Sequence, residues 1–158
     1  LMELSGEIVA GRFFEGIPGL QFAAGSVVRR LREGLDPERI FWLNASDPVS
    51  PCGLGLEGLE LPRRAVTSHL VFHGKRLVVI SERSAKRLEF LIEPEHPRLE
   101  DYLAFLKILL TSPARKKKSI EIETINRQPA ADSPYRKTLA EMFFATAAGR
   151  TLYLSRKY

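Results

Sequence analysis

Ser68-His69-Leu70-Val71-Phe72-His73-Gly74-Lys75-Arg76-Leu77-Val78-Val79-Ile80-Ser81-Glu82 is the stretch on which the architecture turns. β-Branched and aromatic residues fill both arms and His73-Gly74 suits a reversal, so residues 68–72 and 76–82 predict an antiparallel hairpin. Lys86 to Ile92 continues it as a third antiparallel strand. Beyond Pro97, Leu99, Tyr102, Leu103, Leu106, Leu109 and Leu110 recur at spacings of three and four, the pattern of a helix with one broad apolar stripe. Ser119 to Asn126 then alternates, with Ile120, Ile122 and Thr124 on one side and Glu121, Glu123 and Ile125 on the other, which predicts one half-buried strand. Ser133-Pro134 offers an N-cap and a first-turn proline for a second helix with Tyr135, Leu139, Met142 and Phe143 inward, ended by Gly149, before Thr151 to Leu154 return as a strand.

Working outward in the other direction, Ile40-Phe41-Trp42-Leu43 predicts a buried strand, and the stretch from Asn44 to Pro62 a long glycine-rich loop. At the start, Gly6 to Phe14 and Leu20 to Ala23 flank Gly16-Ile17-Pro18-Gly19, a hairpin with a tight reversal. Ser26 is positioned to cap a short helix through Val27, Val28 and Leu31 to Glu33, closed by Gly34. The one boundary this pattern predicts falls near residue 24.

The chain has 158 residues, 44% hydrophobic and 27% charged, enough for a real core and too polar for a membrane-spanning stretch. These figures exclude a disulfide miniprotein and a disordered tail and predict a soluble, cytoplasmic protein. A single cysteine, Cys52, has no partner for a disulfide or a zinc knuckle. The net charge of +5 is unevenly placed: residues 1–114 carry 14 basic and 15 acidic side chains, residues 115–158 carry 10 and 4. The densest cationic run, Arg115-Lys116-Lys117-Lys118, reads as a loop after a helix, either a solvated helix end or a phosphate-contacting patch. Arg29, Arg30 and Arg32 form a second set.

No P-loop, GxSxG elbow or HExxH pair occurs. Gly53, Gly55 and Gly58 have the spacing of a dinucleotide-binding turn, but Pro48, Pro51 and Pro62 deny it the strand that turns straight into a helix. His69 and His73 share a face of a strand about 13 Å apart, too far for a common metal, and His96 stands apart. Asp47, at a strand end before a proline, reads as a turn opener or a general base, and Phe41 and Trp42 as core or a base-stacking face. The opening hairpin, with Arg12 beside a glycine-rich tip, resembles the wing of winged-helix DNA binders, whose backbone N–H groups reach phosphates.

Leu4-Ser5-Gly6-Glu7-Ile8-Val9-Ala10-Gly11-Arg12-Phe13-Phe14-Glu15-Gly16, Gly19-Leu20-Gln21-Phe22-Ala23 and Trp42-Leu43-Asn44-Ala45-Ser46-Asp47-Pro48 together resemble the carboxyl-terminal region of Lhr-type, large helicase-related proteins of superfamily 2. Val71-Phe72-His73-Gly74, Glu123-Thr124-Ile125-Asn126 and Ser133-Pro134-Tyr135 extend the likeness over most of the chain, with Ala10-Gly11 standing where the family has a doubled glycine. The resemblance implies an α+β fold: the end of a winged helix (its wing hairpin, residues 1–24, continuing from an upstream module), then residues 25–158 as a mainly antiparallel sheet or partly closed barrel with two packed helices. It implies a nucleic-acid-binding accessory region of an ATP-dependent DNA helicase of DNA repair, with single-stranded DNA or a DNA/RNA hybrid as partner and no membrane. ATP and magnesium would serve helicase domains elsewhere in the polypeptide, and no cofactor is expected in this fragment. The phosphate-contacting candidates are Arg12, Gly16 and Gly19 with Arg115, Lys116, Lys117 and Lys118. Since that region is also similar to a DNA glycosylase family, a base-excision alternative would use Asp47 as the carboxylate, with Gln21 the one suggestively placed amide. A packing domain without ligand is the third reading.

Overall fold

Residues 69–90 form the three inner strands around which the largest sheet is built. The computed structural model describes residues 6–34, 36–56, 58, 60–111 and 119–157. In chain order they make strands β1 (Ile8–Gly11) and β2 (Gln21–Ala24), helix α1 (Gly25–Glu33), strands β3 (Ile40–Asn44), β4 (His69–His73), β5 (Arg76–Glu82) and β6 (Arg87–Phe90), and helix α2 (Leu99–Thr111). Strands β7 (Ser119–Ile122), β8 (Thr124–Ile125) and β9 (Gln128–Pro129), a 3₁₀ turn (Ala130–Asp132), helix α3 (Arg136–Met142) and strands β10 (Phe144–Ala148) and β11 (Thr151–Ser155) follow.

The strands sort into a two-stranded ribbon β1-β2, a six-stranded sheet in the order β3-β4-β5-β6-β8-β9 and a three-stranded sheet in the order β10-β11-β7. All pairings among the described residues are antiparallel except β6 with β8, so the fold is α+β with a mainly antiparallel sheet, and no closed barrel forms.

Both larger sheets close on α2. Its Leu99, Tyr102, Leu103, Phe105 and Leu106 are buried in one core with Val71 and Val79 of the β4–β5 hairpin, Ile120 and Ile122 of β7, Leu139 of α3, and Leu152 and Leu154 of β11. One extra residue, Val78, sits where the β4–β5 register shifts between Val71 and Phe72, and the bulge puts Val78 as well as Val79 into that core. The opposite face of the six-stranded sheet carries a smaller cluster, Ala45, Cys52, Leu70 and Ile80, under the glycine-rich loop.

Several expectations need correction. Residues 119–126 are not one strand. The chain turns at Glu123, whose N–H donates to the Lys86 carbonyl at 2.7 Å, and leaves the three-stranded sheet to join β6 in parallel. That turn inverts the alternation, so Ile125, read as facing the outer side, is 1% exposed in the core. The second helix stops at Met142 rather than Gly149, because Phe144 to Ala148 pair with β11, and Gly149 at φ +59 supplies the first residue of the hairpin turn between them. Ser26 does not cap α1. Strand β2 runs directly into the helix, and the Gly25 N–H donates to the Glu7 carbonyl at 3.3 Å. Strand β3 is half-buried, since it forms an edge of its sheet.

Candidate nucleic-acid interface

The geometry of the opening hairpin rests on Gln21, which stands opposite Gly11 in the ribbon. Its Oε1 accepts the N–H groups of Phe13 at 2.7 Å and Phe14 at 2.8 Å, while its Nε2 donates to the carbonyls of Phe14 at 3.2 Å and Ile17 at 3.1 Å. Both amide hydrogens and the oxygen are thus used within the loop, which organises its backbone. Gly16 at φ +77 and Gly19 at φ +94 provide the turns that side chains would strain. The result is a projecting tip whose residues 12–18 line a concavity of about 540 Å³, with the Arg12 side chain exposed on it.

Helix α1 follows at once, and Arg29, Arg30 and Arg32 all reach solvent. None of its residues is buried. Its apolar Val27 and Leu31, like Phe14, Leu20 and Phe22 of the hairpin, are exposed.

The connection from α1 to the body is tight. The Gly74 N–H donates to the Arg39 carbonyl at 2.8 Å, and the Pro37 carbonyl lies so close over Gly74 that an added Cβ would stand 2.5 Å from it. Arg98 donates to the Glu38 carboxylate at 3.2 Å and the Glu38 carbonyl at 3.3 Å, and holds Asp101 at 3.0 Å. His73 completes the clamp, with Nδ1 2.7 Å from the Tyr102 hydroxyl and Nε2 3.4 Å from Glu38. Burial pushes the Tyr102 hydroxyl above the ordinary tyrosine range.

Other candidates fall elsewhere. Arg115, Lys116, Lys117 and Lys118 lie outside the described residues. Lys107 of α2 and Arg156 and Lys157 past β11 border one pocket, a grouping that sequence reasoning missed because only tertiary folding brings residues so far apart in the chain together. Lys157 is committed there, donating to the last carbonyls of α3 at Ala140 and Glu141. The Asp47 carboxylate accepts the Val49 N–H at 3.0 Å, the geometry of a turn opener, and Arg64 holds the Asp47 carbonyl. Gly53, Gly55 and Gly58 all have positive φ in a loop that leads into no helix. His69 and His73 both face α2, one beside Phe105 and the other beside Tyr102. Among the described residues no group of His, Cys, Asp or Glu is arranged to hold a metal.

Elsewhere in the body, Lys86 bridges Glu123 at 2.7 Å and Glu121 at 3.1 Å. These hydrogen bonds hold its ammonium above the usual lysine range, and Lys86 in turn holds the Glu123 carboxyl below the usual carboxylate range. This network ties the start of β6 to the β7–β8 turn.

No helix of the described residues is long and apolar enough to cross a membrane. A comparison with curated proteins finds no match. A comparison with family models does: residues 1–40, the span of the hairpin, α1 and the clamped connection, match the model described as the large helicase-related protein, winged-helix domain.

Proposed function

We propose that this chain is a nucleic-acid-binding accessory region of an ATP-dependent DNA helicase of DNA repair, working in the cytoplasm on single-stranded DNA or a DNA/RNA hybrid. In this reading residues 1–24 are the wing of a winged-helix module and residues 25–158 the α+β domain that follows. The motor, with its ATP and magnesium, is a separate part of the same polypeptide. The observation that carries the reading is the tip built by Gln21: a preshaped, exposed backbone turn with Arg12 on it and no described carboxylate paired to Arg12. With the Phe13 and Phe14 N–H groups held by Gln21, the turn's other backbone N–H groups and the neighbouring guanidinium are what a phosphate diester needs, and they read position rather than sequence. Gly16 and Gly19 allow the close approach, and Arg115, Lys116, Lys117 and Lys118 add the long-range attraction.

Fluorescence anisotropy with a labelled single-stranded oligonucleotide tests this. Affinity should fall steeply with salt, because each neutralised phosphate releases condensed counterions. Arg12→Glu should weaken binding and flatten the logarithmic salt slope by roughly one, and reversal of the four charges at 115–118 should flatten it further. No binding at about 50 mM salt, or binding indifferent to both changes, overturns the proposal.

A further inference from the structure

Where α1 ends near the edge of the six-stranded sheet there is a second recess, of about 720 Å³, lined by Arg30, Glu33, Asp36, Arg39, Phe41 and Gly74. We propose that this recess holds an unpaired nucleobase stacked on Phe41. The inference rests on the nucleic-acid reading above and adds a distinct contact, to a base rather than to the backbone.

Three observations carry it. The first is the ring. Phe41 is 40% exposed although it lies in a strand, because β3 is an edge and the glycine-rich loop covers only the other end of that sheet face. One side of the ring is backed by Phe72, with centroids 5.3 Å apart and planes 12° from parallel, so a flat and rigid surface is offered. An aromatic face held in this way stacks any base, since every base has a π-surface.

The second is the arrangement of charge. Arg30 comes from α1 and Arg39 from the connection, and neither is in an ion pair with a described carboxylate. Glu33 and Asp36 line the same recess, and Asp36 commits one oxygen, Oδ1, to the Glu38 N–H at 3.0 Å. A phosphate seated inside would meet those two carboxylates. A base edge would not be repelled, because its N–H groups can donate to them, and its flanking phosphates would then fall to the two arginines.

The third is continuity. Helix α1 follows directly on the hairpin whose tip carries Arg12, and Arg30 near the end of that helix lines the recess. A single strand laid on the wing therefore has a chemically matched place for one base further along the same unit.

The test uses the full chain and a single-stranded oligonucleotide carrying one 2-aminopurine, whose fluorescence is quenched on stacking. Saturating protein should quench it. Phe41→Leu keeps apolar bulk against Phe72 but removes the aromatic face, and should weaken binding roughly fivefold to 150-fold and abolish the quench. Phe41→Tyr should retain both. Far-UV circular dichroism of Phe41→Leu guards against a folding defect. If Arg12→Glu weakens binding while Phe41→Leu leaves affinity and quench intact, the recess is not a base site although the wing still binds. Failure of the unaltered chain to bind any oligonucleotide removes both ideas.

Discussion

Leu31 on α1 and Leu103 on α2 both sit on the apolar stripe of an amphipathic helix, yet Leu31 is 50% exposed and Leu103 is 0%. Their helices belong to two kinds of structure. The body is held by burial: α2 packs one face into a core shared by two sheets, and that core draws on nearly every element after residue 70. Residues 6–34 have no buried member among those described and take their shape from hydrogen bonds, the Gln21 loop and the Glu7–Gly25 contact above all. An apolar stripe in a sequence states what a helix can bury. Whether it does so depends on what the chain places opposite.

The largest effect that sharpens this contrast is a matched pair of truncations. Leu103→Ala should cost about 2–5 kcal/mol in urea unfolding, through lost transfer energy and the cavity left behind. Leu31→Ala should change stability by less than about 0.5 kcal/mol. Equal costs would mean that α1 is packed as the body is, and the comparison would collapse.

Next in size is the joint between the two regions. Gly74→Ala puts a side chain at φ +56 and within 2.5 Å of the Pro37 carbonyl, so it should cost more than about 1 kcal/mol. The amide at position 74, which donates to Arg39, should then exchange faster with solvent. An unchanged melting temperature and unchanged exchange would show that the connection is not seated on this turn.

The smallest global effect, and the most local one, belongs to Gln21→Leu. The unfolding free energy in urea should hold to within about 0.5 kcal/mol, while the Phe13 and Phe14 amides lose their acceptor and exchange on the order of tenfold faster. A large loss of global stability instead would place the hairpin inside the cooperative unit of the body.

Much of the body was legible because its periods are clean: the β4–β5 hairpin, β6, and α2 all follow from residues 68–110. The failures have a common cause in tertiary pairing. Ile120 to Ile125 alternates without a visible break, and only the contact of Glu123 with Lys86 makes the phase invert. Phe144 to Ala148, rich in alanine and followed by a glycine, looks like the tail of a helix, and becomes a strand because β11 offers it a ladder. At the candidate interface Arg12, Gly16 and Gly19 could be picked out from turn chemistry. The bonding of Gln21 could not, since an amide side chain carries no periodic signal, and the recess at Phe41 gathers residues between 30 and 41 with Gly74, which only tertiary folding brings together.

The turn at Glu123 has a mechanical consequence. Strands β7 and β8 are successive pieces of one chain held in different sheets, so the two layers are tied covalently at that point and drawing them apart loads the Glu123–Lys86 contact.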